Sequence, residues 1–231
     1  MWDGKKKAIT LSYDDGVLQD IRLVSILNRY GIKCTFNVNS GMLYHECVWK
    51  KDGLSIARMN ADEIIKYFEG HEVAIHGLTH TNFQADGDIQ TERQIVGDKV
   101  NLERILGRTV NGIAYPFGRE TERAVQVCRN CGLKYGRKAG ASRSFDIPEN
   151  MLAFDPTINH SADDFLELTD QFLSMECTEP KSLFVWGHSY EFDLNDNWDI
   201  LEEFCKMVSG RLDVFFGTNF DVLSPFLRNR G

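Results

Sequence analysis

Ala8-Ile9-Thr10-Leu11-Ser12-Tyr13-Asp14-Asp15-Gly16 is an apolar run with alternating and β-branched residues that stops at two acids and a glycine. It predicts a strand from Lys7 to Tyr13, broken at Gly16. Adjacent carboxylates repel, and a bound cation is the economical way to offset them. A second strand-like run, Glu72-Val73-Ala74-Ile75, ends in His76-Gly77-Leu78-Thr79-His80. One carboxylate with two histidines is a donor set for a divalent metal that leaves positions open for water and substrate. That layout belongs to a hydrolytic site.

Outward from these runs, further strands are expected at Lys33 to Val38, Gly112 to Tyr115, Leu133 to Arg137, Leu152 to Asp155, Ser182 to Trp186 and Leu212 to Gly217. Helical patterns lie between them at Val17 to Tyr30, Asn60 to Phe68, Ile89 to Leu106, Glu122 to Cys131, Ala162 to Met175 and Trp198 to Val208. Strand–helix alternation predicts a parallel sheet with helices outside it. Without a G-x-G-x-x-G turn, a closed or nearly closed α/β barrel is favoured over a dinucleotide-binding sheet. No repeat, low-complexity tract or linker divides the chain, so one domain is expected over residues 1–231. Asp14, Asp15, His76, His80, Pro116, Phe117 and His188 all follow the C-terminal ends of expected strands, which in such a barrel share the catalytic face.

The bulk composition narrows the partners. A net charge of -8, from 34 acids against 26 bases, argues against nucleic acid. With 42% hydrophobic residues the chain can bury a core, yet no stretch is long and apolar enough to span a bilayer. No apolar leader opens it, so the chain as written is expected in the cytoplasm. The six cysteines include one C-x-x-C, Cys128 and Cys131, with no second pair to complete a zinc site. They are expected to be buried thiols. His45 and His71 are expected at the surface, and His160 stays open between core and site.

The chemistry follows from residue types. Asp15, His76 and His80 are the expected ligands of a divalent ion, zinc first, with Co2+, Ni2+ or Mn2+ as alternatives. Asp14 is placed to take a proton from water as general base. His188 is placed to protonate the departing amine, which leaves a tetrahedral intermediate only when protonated. Tyr115-Pro116-Phe117-Gly118 is a sharp turn after a strand whose N–H groups can face an oxyanion.

With these residues in hand, the chain resembles the polysaccharide deacetylases of the NodB-homology type, carbohydrate esterase family four, from about Ile9 onward. Their first motif, T-F-D-D-G, corresponds to Ser12-Tyr13-Asp14-Asp15-Gly16, with the first acid as base and the second as metal ligand. H-[ST]-x-x-H corresponds to His76-Gly77-Leu78-Thr79-His80, with Gly77 in the hydroxyl position. R-P-P-Y-G corresponds to Ala114-Tyr115-Pro116-Phe117-Gly118, and L-x-L-x-H to Phe184-Val185-Trp186-Gly187-His188. The resemblance implies an irregular, TIM-like (β/α)7 barrel and metal-dependent removal of N-acetyl groups from amino-sugar glycans. It leaves open an O-acetyl xylan, a cyclic ureide or imide, or a non-catalytic glycan-binding relative. Tyr115, Pro116, Phe117 and Trp186 are expected against the substrate, Trp186 where a leucine would line the acyl pocket.

Two departures set questions for the structure. Ala114 stands where an arginine would orient the base, leaving Arg137, Arg143 or Arg119 to supply a guanidinium, Arg137 favoured. The fourth motif, D-x-x-D-W, has no counterpart in Phe154-Asp155-Pro156-Thr157-Ile158-Asn159-His160. Asp155, Glu191 and Asp193 are the candidates to tune His188, although Glu191 to Asp199 also reads as a solvated loop and helix start.

Overall fold

The computed structural model describes residues 1–227. Its strands are β1 (Lys7–Asp14), β2 (Thr35–Val38), β3 (Val48–Lys51), β4 (Leu54–Ala57), β5 (Glu72–Ile75), β6 (Gly112–Ala114), β7 (Tyr135–Arg137), β8 (Ile158–Asn159), β9 (Lys181–Gly187) and β10 (Val214–Phe216). The helices are α1 (Asp20–Arg29), α2 (Ala61–Tyr67), α3 (Asp88–Leu106), α4 (Glu122–Asn130), α5 (Phe165–Ser174), α6 (Tyr190–Leu194), α7 (Trp198–Val208) and α8 (Asn219–Leu227).

β1 is buried along its whole length, as expected of a parallel strand covered on both faces. β9 runs beside it from Lys7 to Tyr13, while its other edge is shared by β10 at Lys7–Ile9 and β2 at Ser12–Asp14. The parallel path β7-β6-β5-β2-β1-β9-β8 curls into the expected α/β barrel. Closure falls to residues 151–160. Their first half bonds to β7, through Gly136 N–H to the Met151 carbonyl (2.8 Å) and Lys138 N–H to that of Phe154 (2.8 Å). Their second half, β8, pairs with β9. The expected strand Leu152 to Asp155 is therefore one bridge, Arg137 to Phe154, and no ladder. Pro156 is the cause, since it lacks an N–H and restricts the residue before it.

Capping sets several helix starts. Asn60 accepts from Glu63 N–H (3.0 Å) and Glu63 accepts in return from Asn60 N–H (2.9 Å), a capping box that opens α2. Thr121 caps α4 through Ala124 N–H (3.0 Å). α1 begins at Asp20 and not at Val17, because the Asp20 carboxylate accepts Val17 N–H (2.9 Å). Cys128 is buried and Cys131 half-buried, both as free thiols.

His71 corrects the expectation of a surface histidine: it is buried. Its Nδ1 accepts Cys34 N–H (3.1 Å) and its Nε2 donates to Asn28 Oδ1 (3.0 Å). Burial holds the imidazole neutral, its pKa down at about 4. A histidine depressed in the fold stabilises fully above its unfolded pKa of ~6.5 and loses that contribution as pH falls towards the folded value. His71 is thus expected to account for on the order of 2–3 kcal/mol of stability lost between pH 6.5 and 4. Denaturant unfolding of His71→Gln at pH 7 and pH 4.5 should show a shallower fall than the parent chain.

Candidate functional site

The strand ends bring the two acids and three of the histidines to one mouth. Asp14 ends β1, and Asp15 follows with φ 84, a left-handed conformation uncommon outside glycine. His80 (φ 54) and Phe117 (φ 58) share that conformation, so three residues at the mouth are held in sparsely populated backbone, as functional sites often are. The cavity measures about 650 Å³ and is lined by Asp14, Asp15, His76, His80, Trp186 and His188, among others. A larger hollow of about 930 Å³ beside Leu133 and Lys134 contains none of these groups.

Asp15, His76 and His80 each offer a donor atom, all within 4.8 Å of one another. Ligands held at ~2.1 Å from one ion lie at most about 4.2 Å apart, so small side-chain adjustments close the set on a single cation. His76 Nδ1 donates to the Ala114 carbonyl (2.7 Å), which leaves Nε2 facing the cavity. Burial lowers the pKa of both histidines, that of His80 to about 4, keeping them neutral as ligands must be. α3 holds their loop. Asp98 accepts His76 N–H (3.0 Å), Gln94 Oε1 accepts Thr79 N–H (2.8 Å), and Gln94 Nε2 donates to Thr79 Oγ1 (2.8 Å).

Each acid has its own guanidinium. Arg137, fully buried at the end of β7, donates to Asp14 Oδ1 through Nη2 and to Ser12 Oγ through Nε (3.1 Å). Asn37 donates to the same Oδ1 (2.8 Å). Asp14 Oδ2 lies 4.0 Å from His76 Nε2. Burial pushes the Asp14 carboxyl up, but Arg137, then His76 and His188, outweigh it and hold the acid ionised. Arg58 donates to the Asp15 carbonyl, to Asp15 Oδ1 (3.1 Å) and to Asn39 Oδ1 (2.7 Å). Asp15 is held down in the same way, by Arg58 first among the charges.

His188 sits just beyond β9 with Nε2 3.9 Å from Asp15 Oδ2. Its Nδ1 faces Glu191 Oε1 at 3.1 Å, and its N–H donates to Glu191 Oε2 (3.2 Å). Burial disfavours the charged imidazole, yet Glu191, Asp15 and Asp14 raise its pKa to about 9. A divalent ion nearby works in the opposite direction.

Two N–H groups around the turn Pro116–Gly118 are spent locally, Gly118 to the Tyr115 carbonyl (2.8 Å) and Arg119 to that of Pro116 (3.2 Å). Pro116 has no N–H, which leaves that of Phe117 for a ligand. The Phe117 ring is 59% exposed and stands edge-on to His80, centroids 4.7 Å apart.

The sequence profile of the polysaccharide deacetylase family matches residues 2–136. The chain belongs to that family. No curated protein sequence matches it. Among solved structures it is similar to a deacetylase, PplD, from Streptococcus pyogenes in complex with acetate, at 21% identity and TM-score 0.54, over 60% of this chain and 58% of that one. It is also similar to the Xyl-CE4 domain of a multidomain xylanase from the hindgut metagenome of Trinervitermes trinervoides, at 14% identity and TM-score 0.63, over 96% and 92%. A CE4 family pseudoenzyme from Bacillus anthracis matches at 14% identity and TM-score 0.56, over 95% and 66%. These likenesses bear on the fold, an irregular (β/α)7 barrel.

Of the three arginines expected as candidates beside Asp14, Arg137 is the one that reaches it. Arg143 pairs with Asp164 instead, and Arg119 reaches Gln84 (3.4 Å). The Tyr115 hydroxyl points away from the mouth and donates to the Leu152 carbonyl (2.7 Å). Pro116 is buried, and Trp186 Nε1 donates to the Gly140 carbonyl (3.0 Å) with Arg137 over its ring, 5.1 Å away. Glu191 is no solvated loop residue: α6 carries it, half-buried, onto His188. Arg58 and Trp49 were not anticipated; both come from the β3–β4 hairpin and its exit, with Arg58 over the Trp49 ring at 5.1 Å.

Proposed function

We propose that this chain hydrolyses the N-acetyl amide of an amino-sugar glycan with the help of a divalent metal. The convergence of Asp15, His76 and His80, flanked by Asp14 and His188, supports the reading. Asp15, His76 and His80 hold the ion, zinc by its donor set, with cobalt, nickel or manganese as alternatives. When bound, such an ion supplies Lewis acidity to the acyl carbonyl and acidifies water. Asp14 receives the proton of the attacking water at Oδ2, because Oδ1 is already engaged by Arg137 and Asn37. His188 hands a proton from Nε2 to the amine nitrogen, while Glu191 fixes its Nδ1. The Phe117 N–H is left to polarise the acyl oxygen. Phe117 and Trp49 give the rim flat apolar faces suited to pyranose rings.

The test is acetate release from chitin oligomers, peptidoglycan fragments and acetyl-xylan, with allantoin opening as a fourth arm, before and after chelation. Acetate from an N-acetylated substrate, lost on chelation and restored by zinc, is the expected outcome. Release from xylan alone, or ring opening alone, would replace the substrate; no turnover by metal-loaded protein would leave a glycan-binding relative.

Trp186 sets the acyl size in this reading, filling space that a leucine leaves open. Trp186→Leu is expected to accept N-propionyl substrates that the parent chain rejects. Unchanged acyl preference would remove Trp186 from the pocket wall.

A further inference from the structure

His160 is buried, only 2% exposed, and neither ring nitrogen meets a partner in hydrogen-bonding geometry; the Trp186 backbone acts on the ring only weakly against the effect of burial. It follows β8, on the segment that closes the barrel. Its ring is stacked between Tyr13, centroids 5.4 Å apart, and Phe192, 4.1 Å apart. Nδ1 presses on the backbone of β9: a Cβ on Gly187 would lie 1.9 Å from it, so only glycine fits there. Nε2 faces the other way, 3.7 Å from Glu191 Oε2. Stacking alone would be served by phenylalanine, and an unpaired buried imidazole is costly. The nitrogen therefore needs a purpose.

Glu191 supplies one. Its Oε1 meets His188 Nδ1, and its Oε2 takes His188 N–H and approaches Ser161 Oγ (3.5 Å). Lys51 Nζ stands 3.9 Å from Oε1 at the rim. His160 is the group that reaches this carboxylate from the buried side. We propose that His160 is a positioning residue for His188, acting through Glu191: its Nε2–H donates to Oε2 and fixes the carboxylate that orients the proton donor. A small rotation of Glu191 closes the remaining gap. Burial keeps His160 neutral, its pKa lowered to about 4, so it adds a donor without a competing charge. The barrel-closing segment lacks the second acid of the fourth motif, and here it supports His188 through a histidine while α6 supplies the carboxylate.

The inference rests on His188 being the proton donor, and the experiment separates the two. Metal-loaded His160→Phe, His160→Gln and His188→Ala are assayed on an N-acetylglucosamine oligomer and on 4-nitrophenyl acetate, whose leaving group needs no protonation. His160→Phe keeps the stack and removes the donor. Its kcat on the oligomer is expected to fall roughly 10–100-fold, the usual effect of losing an outer-shell partner, with KM little changed and a much smaller loss on the ester. His160→Gln, which retains a donor near Nε2, should recover most of the rate. Equal losses on both substrates, or none on the oligomer, overturn the role of His160. If His188→Ala itself shows no selective loss on the oligomer, the proton-donor assignment falls and this inference with it. Independently of folding or substrate, 15N NMR of the parent chain reads the tautomer: an Nε2–H imidazole at His160 is expected, and an Nδ1–H imidazole overturns the proposal.

Discussion

Asp14→Asn and His188→Ala should each fold, keep their metal and lose about a hundredfold or more of amide hydrolysis. The two losses have different physical origins. Asparagine preserves the size and most contacts of Asp14 but cannot accept the proton of an attacking water. Alanine at position 188 removes the imidazole that Glu191 holds towards the mouth. Leaving-group dependence tells them apart: His188→Ala should be mild on an activated aryl ester, whereas Asp14→Asn should be severe on both substrates. Arg137→Met should approach the Asp14→Asn loss on both substrates, because Arg137 fixes Asp14 Oδ1 and leads the charges that keep it ionised. Near-normal amide turnover in either Asp14→Asn or His188→Ala would end this mechanism.

How much of this was legible in the chain depends on the range of the interactions. β1, β5 and β9 declared themselves because a strand buried on both faces is written as a continuous apolar run. Asp14, Asp15, His76, His80 and His188 could be placed together because parallel strand ends share one face. Residues 152–155 misled, since apolar content signals burial while Pro156 decides whether a ladder continues. The β3–β4 hairpin had a readable signal that went unused. Asp52-Gly53 is the turn pair favoured between antiparallel strands, and both residues have positive φ, 47 and 88. Arg58 had no local signature, because its meaning lies in Asp15, 43 positions away. Glu191 could be named as one of three candidates beside His188 but not singled out, because composition does not tell it from Asp193: both lie on α6, and the packing turns Glu191 onto His188 and Asp193 onto Trp198. His71 reads as polar and exposed until Asn28 and Cys34 are seen to satisfy both its nitrogens.

Asp15→Ala, His76→Ala and His80→Ala should each lose the divalent ion, with affinity falling by more than the roughly 10–100-fold that loss of an outer partner costs. Metal analysis after gel filtration, and competition against a chelator of known affinity, measure it without reference to turnover. The three should not be equal. His76 is buried, with its ring fixed by the Ala114 carbonyl, so its lone pair is pre-aimed and its removal should be felt most among the histidines. His80 is less buried and leans on Phe117 rather than on a hydrogen-bond acceptor, so its replacement should cost less. Asp15→Ala carries a second effect: it removes the carboxylate that faces the Arg58 guanidinium, which keeps only the neutral Asp15 carbonyl and Asn39 Oδ1 as acceptors. An uncompensated cation at the mouth repels a divalent ion, so this variant should bind metal most weakly of the three. The double replacement Asp15→Ala with Arg58→Ala should then recover part of the affinity, because the repulsion goes while the missing ligand does not return. Stoichiometric metal retained by all three single variants would sink the assignment of these residues as ligands.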